Sequence, residues 1–425
     1  MNNEELQSLQ GVKVLVGVAG SIAATKTPML VSNLIKAGAE VRCVVTKSAS
    51  MLVSPIALST LSRNRCFQDE DQWDPKESKP LHISLSEWAE IIVIAPLSAT
   101  SLSKWVNGSA EGLLASILLA SEKPIIAAAA MNTGMWQNSS VIKNWKSLDD
   151  YPKVLKLNPS SGILACDRIG EGRMASVEII QLAIKSALIT KNANLLIKKD
   201  LLGKNVLITA GATIEYLDPA RQISNRSSGR MGISIAQAAR FRGAKVDLIH
   251  GALNIQEPLL EGLNTFNVSN ADQMQVSLRE RQVSADLIVM TAAVSDLRKK
   301  RGASKNKLSK AELIASLPEE LEIVPDLLKE VTSRKETNQL ILGFAALTGQ
   351  DEHIKALGEE KRVNKGCDLL MANPIDRPNE GFGENNNGGY LLGPNNMSIK
   401  LEVQSKFELA HKLIDHLLAF KSKNS

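Results

Sequence analysis

The chain is poor in cysteine, with four in 425 residues: Cys43, Cys66, Cys166 and Cys367. They are too scattered for a zinc site, and a disulfide framework would be denser. No run of roughly 18 apolar residues occurs, the length that a membrane-spanning helix needs. The first ten residues, Met1 to Gln10, are polar and acidic, without the basic start and apolar core of a signal peptide. An excess of one charge is also missing: the net charge is only +5, which argues against nucleic-acid binding through a concentrated basic face. No G-x-x-x-x-G-K-[ST] is present, so a Walker-type phosphate cradle is excluded. These absences point to a reduced, cytoplasmic, globular protein whose length suits about two or three domains.

What is present is a repeated α/β rhythm. Val12 to Val18 is a short apolar run of the buried-strand kind, and Gly20 and Ser21 open a helical pattern through Ala37. Val41 to Thr46, Ile91 to Ala95 and Pro124 to Ala130 are further strands. The rhythm restarts after residue 204 with Val206 to Thr209, a helix over Ser228 to Arg242, and strands at Lys245 to His250, Asp286 to Ala292, Gln339 to Ala345 and Asp368 to Ala372. Strands alternating with helices imply parallel, doubly wound sheets. The fold class expected is therefore α/β, with two doubly wound, Rossmann-like or flavodoxin-like domains in tandem, over 1–194 and 195–425. Gln68 to Pro80 reads as a surface loop. The basic stretch Arg298 to Lys310 and the Gly/Asn-rich Pro378 to Gly389 read as mobile loops covering a nucleotide site.

In the first half, Gly17-Val18-Ala19-Gly20-Ser21-Ile22 joins a strand to a helix, where glycine admits a ligand closely and helix amides face a phosphate. The G-x-G-x-x-G order of a dinucleotide site is not there. Thr46, and Ser98-Ala99-Thr100, end later strands; in a parallel sheet such ends line one crevice, although Ser and Thr there also serve as helix caps. Three segments are less generic: His82-Ile83-x-Leu85-x-x-Trp88, Ala130-Met131-Asn132-x-x-Met135-Trp136, and Gly162-x-Leu164-Ala165-Cys166 followed by Gly170-x-Gly172-Arg173-Met174. A lone His or Cys is ordinarily structural; the order of all three segments is what counts. Together they resemble the homo-oligomeric flavin-containing cysteine decarboxylases, in particular those acting on phosphopantothenoylcysteine.

That resemblance implies FMN held around Gly20, Ser21, Ile22, Thr46, Ser98, Ala99, Thr100 and Ala130. A flavin first oxidises the carbon bearing sulfur, and the thioaldehyde so formed accepts the electrons left by CO2. It further implies that Asn132 holds the substrate carboxylate, His82 assists early deprotonation and decarboxylation, and Cys166 donates a proton in the last step. Asp167, Ala129 and Thr100 depart from the family's usual Gly, Pro and Asn.

In the second half, Thr209-Ala210-Gly211-Ala212-Thr213, Asp218-Pro219 and Arg221-x-Ile223-Ser224-Asn225-Arg226-Ser227-Ser228-Gly229-x-Met231-Gly232 form the most specific signal in the chain. A Ser-Ser-Gly opening a helix offers hydroxyls and amides to an anion. This run resembles the phosphopantothenate–cysteine ligases. Matching pieces follow in order: Ala292 to Asp296, Lys307-Leu308-Ser309-Lys310, Pro325-Asp326-Leu327-Leu328, Gly343 to Ala346, and Lys361 to Lys365. The resemblance implies CTP as a substrate with Mg2+, contacted by Met290, Thr291, Ala292, Asp296, Lys307, Pro325, Asp326, Leu327, Leu328, Phe344, Lys361 and Lys365. Asn225 and Arg221 are assigned to the acyl-nucleotide and its conversion; metal ligands are left unassigned. Ser309 and Leu347 stand where the family usually has a lysine and an acidic residue.

By the same resemblance the substrates are phosphopantothenate, L-cysteine and CTP, and the assembly is a homo-oligomer of flavin-domain trimers and ligase-domain dimers. Two rivals are a flavin decarboxylase of another cysteine substrate and a non-enzymatic regulatory flavoprotein. The ligase half weighs against the first, and the basic end Lys421-Ser422-Lys423 against the second, whose members carry acidic tails.

Overall fold

The apolar runs fold as parallel strands in a computed structural model that describes residues 8–75, 78–163, 169–255, 257–378 and 380–424. The chain divides into two units, 1–198 and 199–425.

The first unit is built on six strands: β1 (Lys13–Val18), β2 (Glu40–Val45), β3 (Cys66–Phe67), β4 (Ile91–Leu97), β5 (Ile125–Ala129) and β6 (Val154–Leu157). They lie in the order β3-β2-β1-β4-β5-β6, all neighbours parallel. All residues of β4 and β5 are buried, because helices cover both faces of the sheet. The order reverses between β1 and β4, so the loops leaving these two strands diverge and open a crevice at their carboxyl ends. A hairpin of β7 (Ser160–Ile163) and β8 (Ile169–Arg173) follows the sheet. The helix expected over Gly20 to Ala37 is divided into a 3-10 turn, Ile22–Lys26, and an α-helix, Thr27–Lys36. Pro28, which has no N–H to donate, sits in the first turn of the second piece, where none is required.

The second unit contains β9 (Asn205–Ala210), β10 (Ile214–Asp218), β11 (Arg221–Ser224), β12 (Lys245–His250), β13 (Asn264–Asn267), β14 (Leu287–Met290), β15 (Leu297–Lys299), β16 (Leu321–Ile323), β17 (Leu340–Leu347), β18 (Leu369–Pro374), β19 (Asn386–Gly393) and β20 (Met397–Ser405). Eight form one sheet, β13-β12-β9-β14-β17-β18-β19-β20, parallel as far as β18 and antiparallel beyond it. Its reversal lies between β9 and β14. The pairs β10–β11 and β15–β16 are separate antiparallel ribbons. The basic stretch after residue 298 thus begins inside a ribbon, and the Gly/Asn-rich segment ends inside β19, a more ordered arrangement than two loops.

The terminal helix Lys406–Asn424 packs back on helix Arg230–Phe241. Arg242, just beyond the latter, is 1% exposed and donates to both oxygens of Asp200 at 2.7 and 2.5 Å, to Asp415 at 2.8 Å and to the His411 carbonyl at 3.2 Å. A buried guanidinium is tolerated because each face of its planar fork finds an acceptor. No helix among the described residues is long and apolar enough to cross a membrane.

Candidate active sites

In the first unit the residues after β1, β2 and β4 share one local design. Ser21, Thr46 and Ser98 each stand at a helix N-cap, their hydroxyls accepting from the amides of Ala23 at 3.4 Å, Ala49 at 3.3 Å and Ser101 at 3.2 Å. Ser21 and Ser98 flank the β1/β4 reversal, and the Ala19 amide donates to the Pro96 carbonyl at 3.1 Å, tying the two loops together. Gly20 has no room for a side chain: a Cβ there would lie 2.5 Å from the Ser48 Cβ. Ala99 and Thr100 open the helix Ala99–Val106 behind Ser98, and Ala130 directly follows β5.

Asn132 caps the short helix Thr133–Trp136, its Oδ1 accepting from the Gly134 amide at 2.9 Å. The Met131 amide donates to the Gly172 carbonyl at 3.1 Å, and Gly170 lies so close to Thr133 that a Cβ would approach its Oγ1 to 2.5 Å. These contacts bring the Asn132 segment against the β7–β8 hairpin. Cys166 and Asp167, between those strands in sequence, lie outside the described residues. His82 is half-buried in the first turn of helix Leu81–Trp88, which leads into β4. A helix that returns the chain to the start of a parallel strand begins at the sheet's carboxyl edge, the edge that carries Ser98 and Asn132.

In the second unit a cavity of about 480 Å³ opens at the β9/β14 reversal, lined by Asn225, Met290, Thr291, Ala292, Asp296, Pro325, Asp326, Leu327, Leu328, Phe344, Lys361 and Lys365, among others. Residues scattered over 140 positions of sequence meet here because the ends of parallel strands converge ~5 Å apart. The Asn225 side chain donates to the Val294 carbonyl at 2.9 Å, fixing the β11 end to the β14 loop. Thr291 donates to the Thr209 carbonyl at 2.6 Å. Lys365 pairs with Asp326 at 3.2 Å, and Asp326 also caps helix Leu327–Ser333. Gly229, with φ of 78°, caps helix Arg230–Phe241 without a side-chain bond of its own.

Arg221 and Lys307 are not among the residues lining this cavity. Arg221 donates to Asp218 at 2.9 Å and to the Leu308 carbonyl at 3.1 Å, next to Lys307. Burial alone would raise the Asp218 carboxyl. The amides of Ala220 and Leu308 and the Arg221 guanidinium outweigh it and hold the group below its ordinary range. Ser309 caps helix Lys310–Glu320, accepting from the Glu312 amide at 3.2 Å, a bond that a lysine there has no acceptor to make. Leu347 packs in the second core.

Sequence reasoning missed Arg230, Phe382 and Lys406 as lining residues. Lys406 is 5% exposed and donates to the carbonyls of Gly381 at 2.9 Å and Glu384 at 2.6 Å. Its only sequence signal is a lysine opening a helix, which ordinarily marks a solvated position.

Comparison with known proteins agrees with this division. A family model described as the DNA/pantothenate metabolism flavoprotein C-terminal domain matches residues 201–420, and one described as flavoprotein matches residues 2–189. The coenzyme A biosynthesis bifunctional protein CoaBC of Bacillus subtilis is 34% identical over 422 residues, covering 98% of each chain. The chain belongs to the coenzyme A biosynthesis bifunctional protein family. The Haemophilus influenzae member is 36% identical over 412 residues, 96% of this chain and 98% of its own. Within this bifunctional family, the flavoprotein match falls on the first sheet and the pantothenate-metabolism match on the second.

Proposed function

We propose that this chain makes phosphopantothenoylcysteine in its second unit and decarboxylates it to phosphopantetheine in its first. The strongest support is the pairing, in one chain matched almost end to end by bifunctional relatives, of two strand-reversal sites with different side chains: hydroxyls in one, lysines and acids in the other.

In the second unit the phosphopantothenate carboxylate attacks the α-phosphorus of CTP, forming an acyl-cytidylate and releasing pyrophosphate. The cysteine amine then displaces CMP to give the amide. Lys307, Lys361 and Lys365 offset phosphate charge as it separates. Asn225 and Arg221 orient the acyl-nucleotide. Among the described residues no group of three His, Cys, Asp or Glu side chains is placed to hold a metal ion. Magnesium enters with the nucleotide, and Asp296 and Asp326 are the carboxylates that line the cavity; Mg2+ commonly binds through one or two carboxylates plus substrate phosphates.

In the first unit the capped helices after β1, β2 and β4, with the backbone at Gly20 packed directly on Ser48, fit FMN: amides and hydroxyls for a phosphate, strand ends for a ring edge. Bound flavin supplies the electron sink that decarboxylation requires. Asn132, held at its Oδ1 by the Gly134 amide, binds the substrate carboxylate. His82 takes the early proton, and Cys166 returns one to the product carbon. Self-association belongs to the same reading, the first unit as trimers and the second as dimers.

The test supplies phosphopantothenate, L-cysteine, CTP and magnesium to purified protein, following CO2 and pyrophosphate. Both products are expected, with Cys166→Ser losing CO2 and keeping pyrophosphate. A colourless protein, or one that releases no pyrophosphate, would overturn the reading.

A further inference from the structure

Two cations stand together on the wall of the second unit's cavity, and neither is ion-paired to a carboxylate among the described residues. Lys406, from the terminal helix, spends two of its three N–H donors on the carbonyls of Gly381 and Glu384. Arg230 is the first residue of its helix, and its Nε is buried without a hydrogen-bond partner. Both residues line the cavity. Burial pulls the Lys406 ammonium down to about 8; Arg230 pushes the same way, and Glu384, from beyond ion-pair distance, pulls it back up. Two like charges that repel each other, one of them almost fully buried, are costly unless an anion completes them. The helix that begins at Gly229 turns its amino end to the same space.

We infer that Arg230 and Lys406, with the amino end of helix Arg230–Phe241, form a phosphoryl-anion subsite that seats one phosphate group of a substrate. Resting on the ligase reading, the subsite names the groups that hold that phosphate. Because Lys406 also grips the Gly381 and Glu384 carbonyls, the anion and the Gly/Asn-rich segment share one ammonium. Two sources have the right chemistry, the nucleotide's polyphosphate and the phosphate ester of the acid.

Calorimetric titration of the full chain with inorganic pyrophosphate, and separately with inorganic phosphate, tests the subsite without turnover. Arg230→Met and Lys406→Met are each expected to weaken binding of at least one of these anions by about tenfold, the scale of one charge-assisted hydrogen bond. Lys245→Met, at an exposed lysine at the start of β12, is expected to change nothing. Among the described residues Arg230 makes no side-chain hydrogen bond that folding would lose, so its variant carries the test even where Lys406→Met unfolds. Steady-state KM values separate the sources: a rise confined to CTP assigns the polyphosphate, and one confined to phosphopantothenate assigns the ester. Unchanged anion binding and KM values in Arg230→Met would overturn the subsite while leaving a wild-type pyrophosphate-releasing ligase intact. Wild-type anion binding lost in that variant, without wild-type pyrophosphate release, would instead keep the subsite and sink the ligase reading.

Discussion

Asp218 and Arg221, at the two ends of a β-ribbon turn, meet at 2.9 Å around a carboxylate with no exposed surface. The same carboxylate accepts the Leu308 amide at 3.2 Å, while Arg221 reaches the Leu308 carbonyl at 3.1 Å. One ionic knot therefore holds the ribbon to the segment carrying Lys307.

Asp218→Asn keeps the shape and removes the charge, so Arg221 loses its partner and the Lys307 segment loosens. Pyrophosphate release is expected to fall roughly 10- to 100-fold, the usual cost of a reacting group displaced by about an ångström. CO2 release from supplied phosphopantothenoylcysteine should stay at the wild-type rate. Equal loss of both activities would mean that the substitution acts on folding.

The same carboxylate sets a pH dependence. Its folded value lies below the ordinary 3.8, so its stabilisation is fully present above pH 3.8 and is lost as the pH falls through the lower folded value. The stability gap between wild type and Asp218→Asn, measured by chemical unfolding, should be constant above that pH and shrink below it.

Gly232 touches the sheet so closely that a Cβ would lie 2.5 Å from Thr291 Oγ1 and 2.9 Å from the Thr209 carbonyl. Gly232→Ala is expected to cost about 1–3 kcal/mol by overpacking. All five tryptophans lie in the first 145 residues. Tryptophan fluorescence should therefore show an unchanged urea midpoint, with the shift visible in far-UV circular dichroism.

Gly20→Ala would press a methyl group on Ser48 and deform the loop after β1. The purified variant is expected to carry less flavin, read from the band near about 450 nm, with pyrophosphate release unaffected. A full complement of flavin in this variant would remove Gly20 from the cofactor cradle.

The central strands of both sheets were legible as apolar runs, since strands such as β4 and β5 are buried on both faces and have no polar side to confuse the pattern, whereas the short outer strands β3, β6 and β13 were not read. The strand-end motifs were legible for a related reason: parallel strands deliver short, ungapped motifs to one edge. The last two strands were not. Asn386 to Gly389 has the composition of a loop, yet it opens β19. Gly389 is needed there because a Cβ would meet the Ala372 carbonyl at 2.2 Å, a contact with the neighbouring strand β18 that the local sequence does not show. Lys406 was hidden for the same reason, since its burial depends on carbonyls more than twenty residues away.

Arg242 binds Asp200 and Asp415 through the same Nη2 atom, so the start of the second unit is clasped to the middle of its terminal helix. Rejoined through a linker and reopened at a surface turn, that unit has the layout that tolerates circular permutation. The same atom dictates where the two halves can be severed. A cut ahead of Asp200 leaves the clasp whole, and a cut just behind it leaves the guanidinium held from one side only.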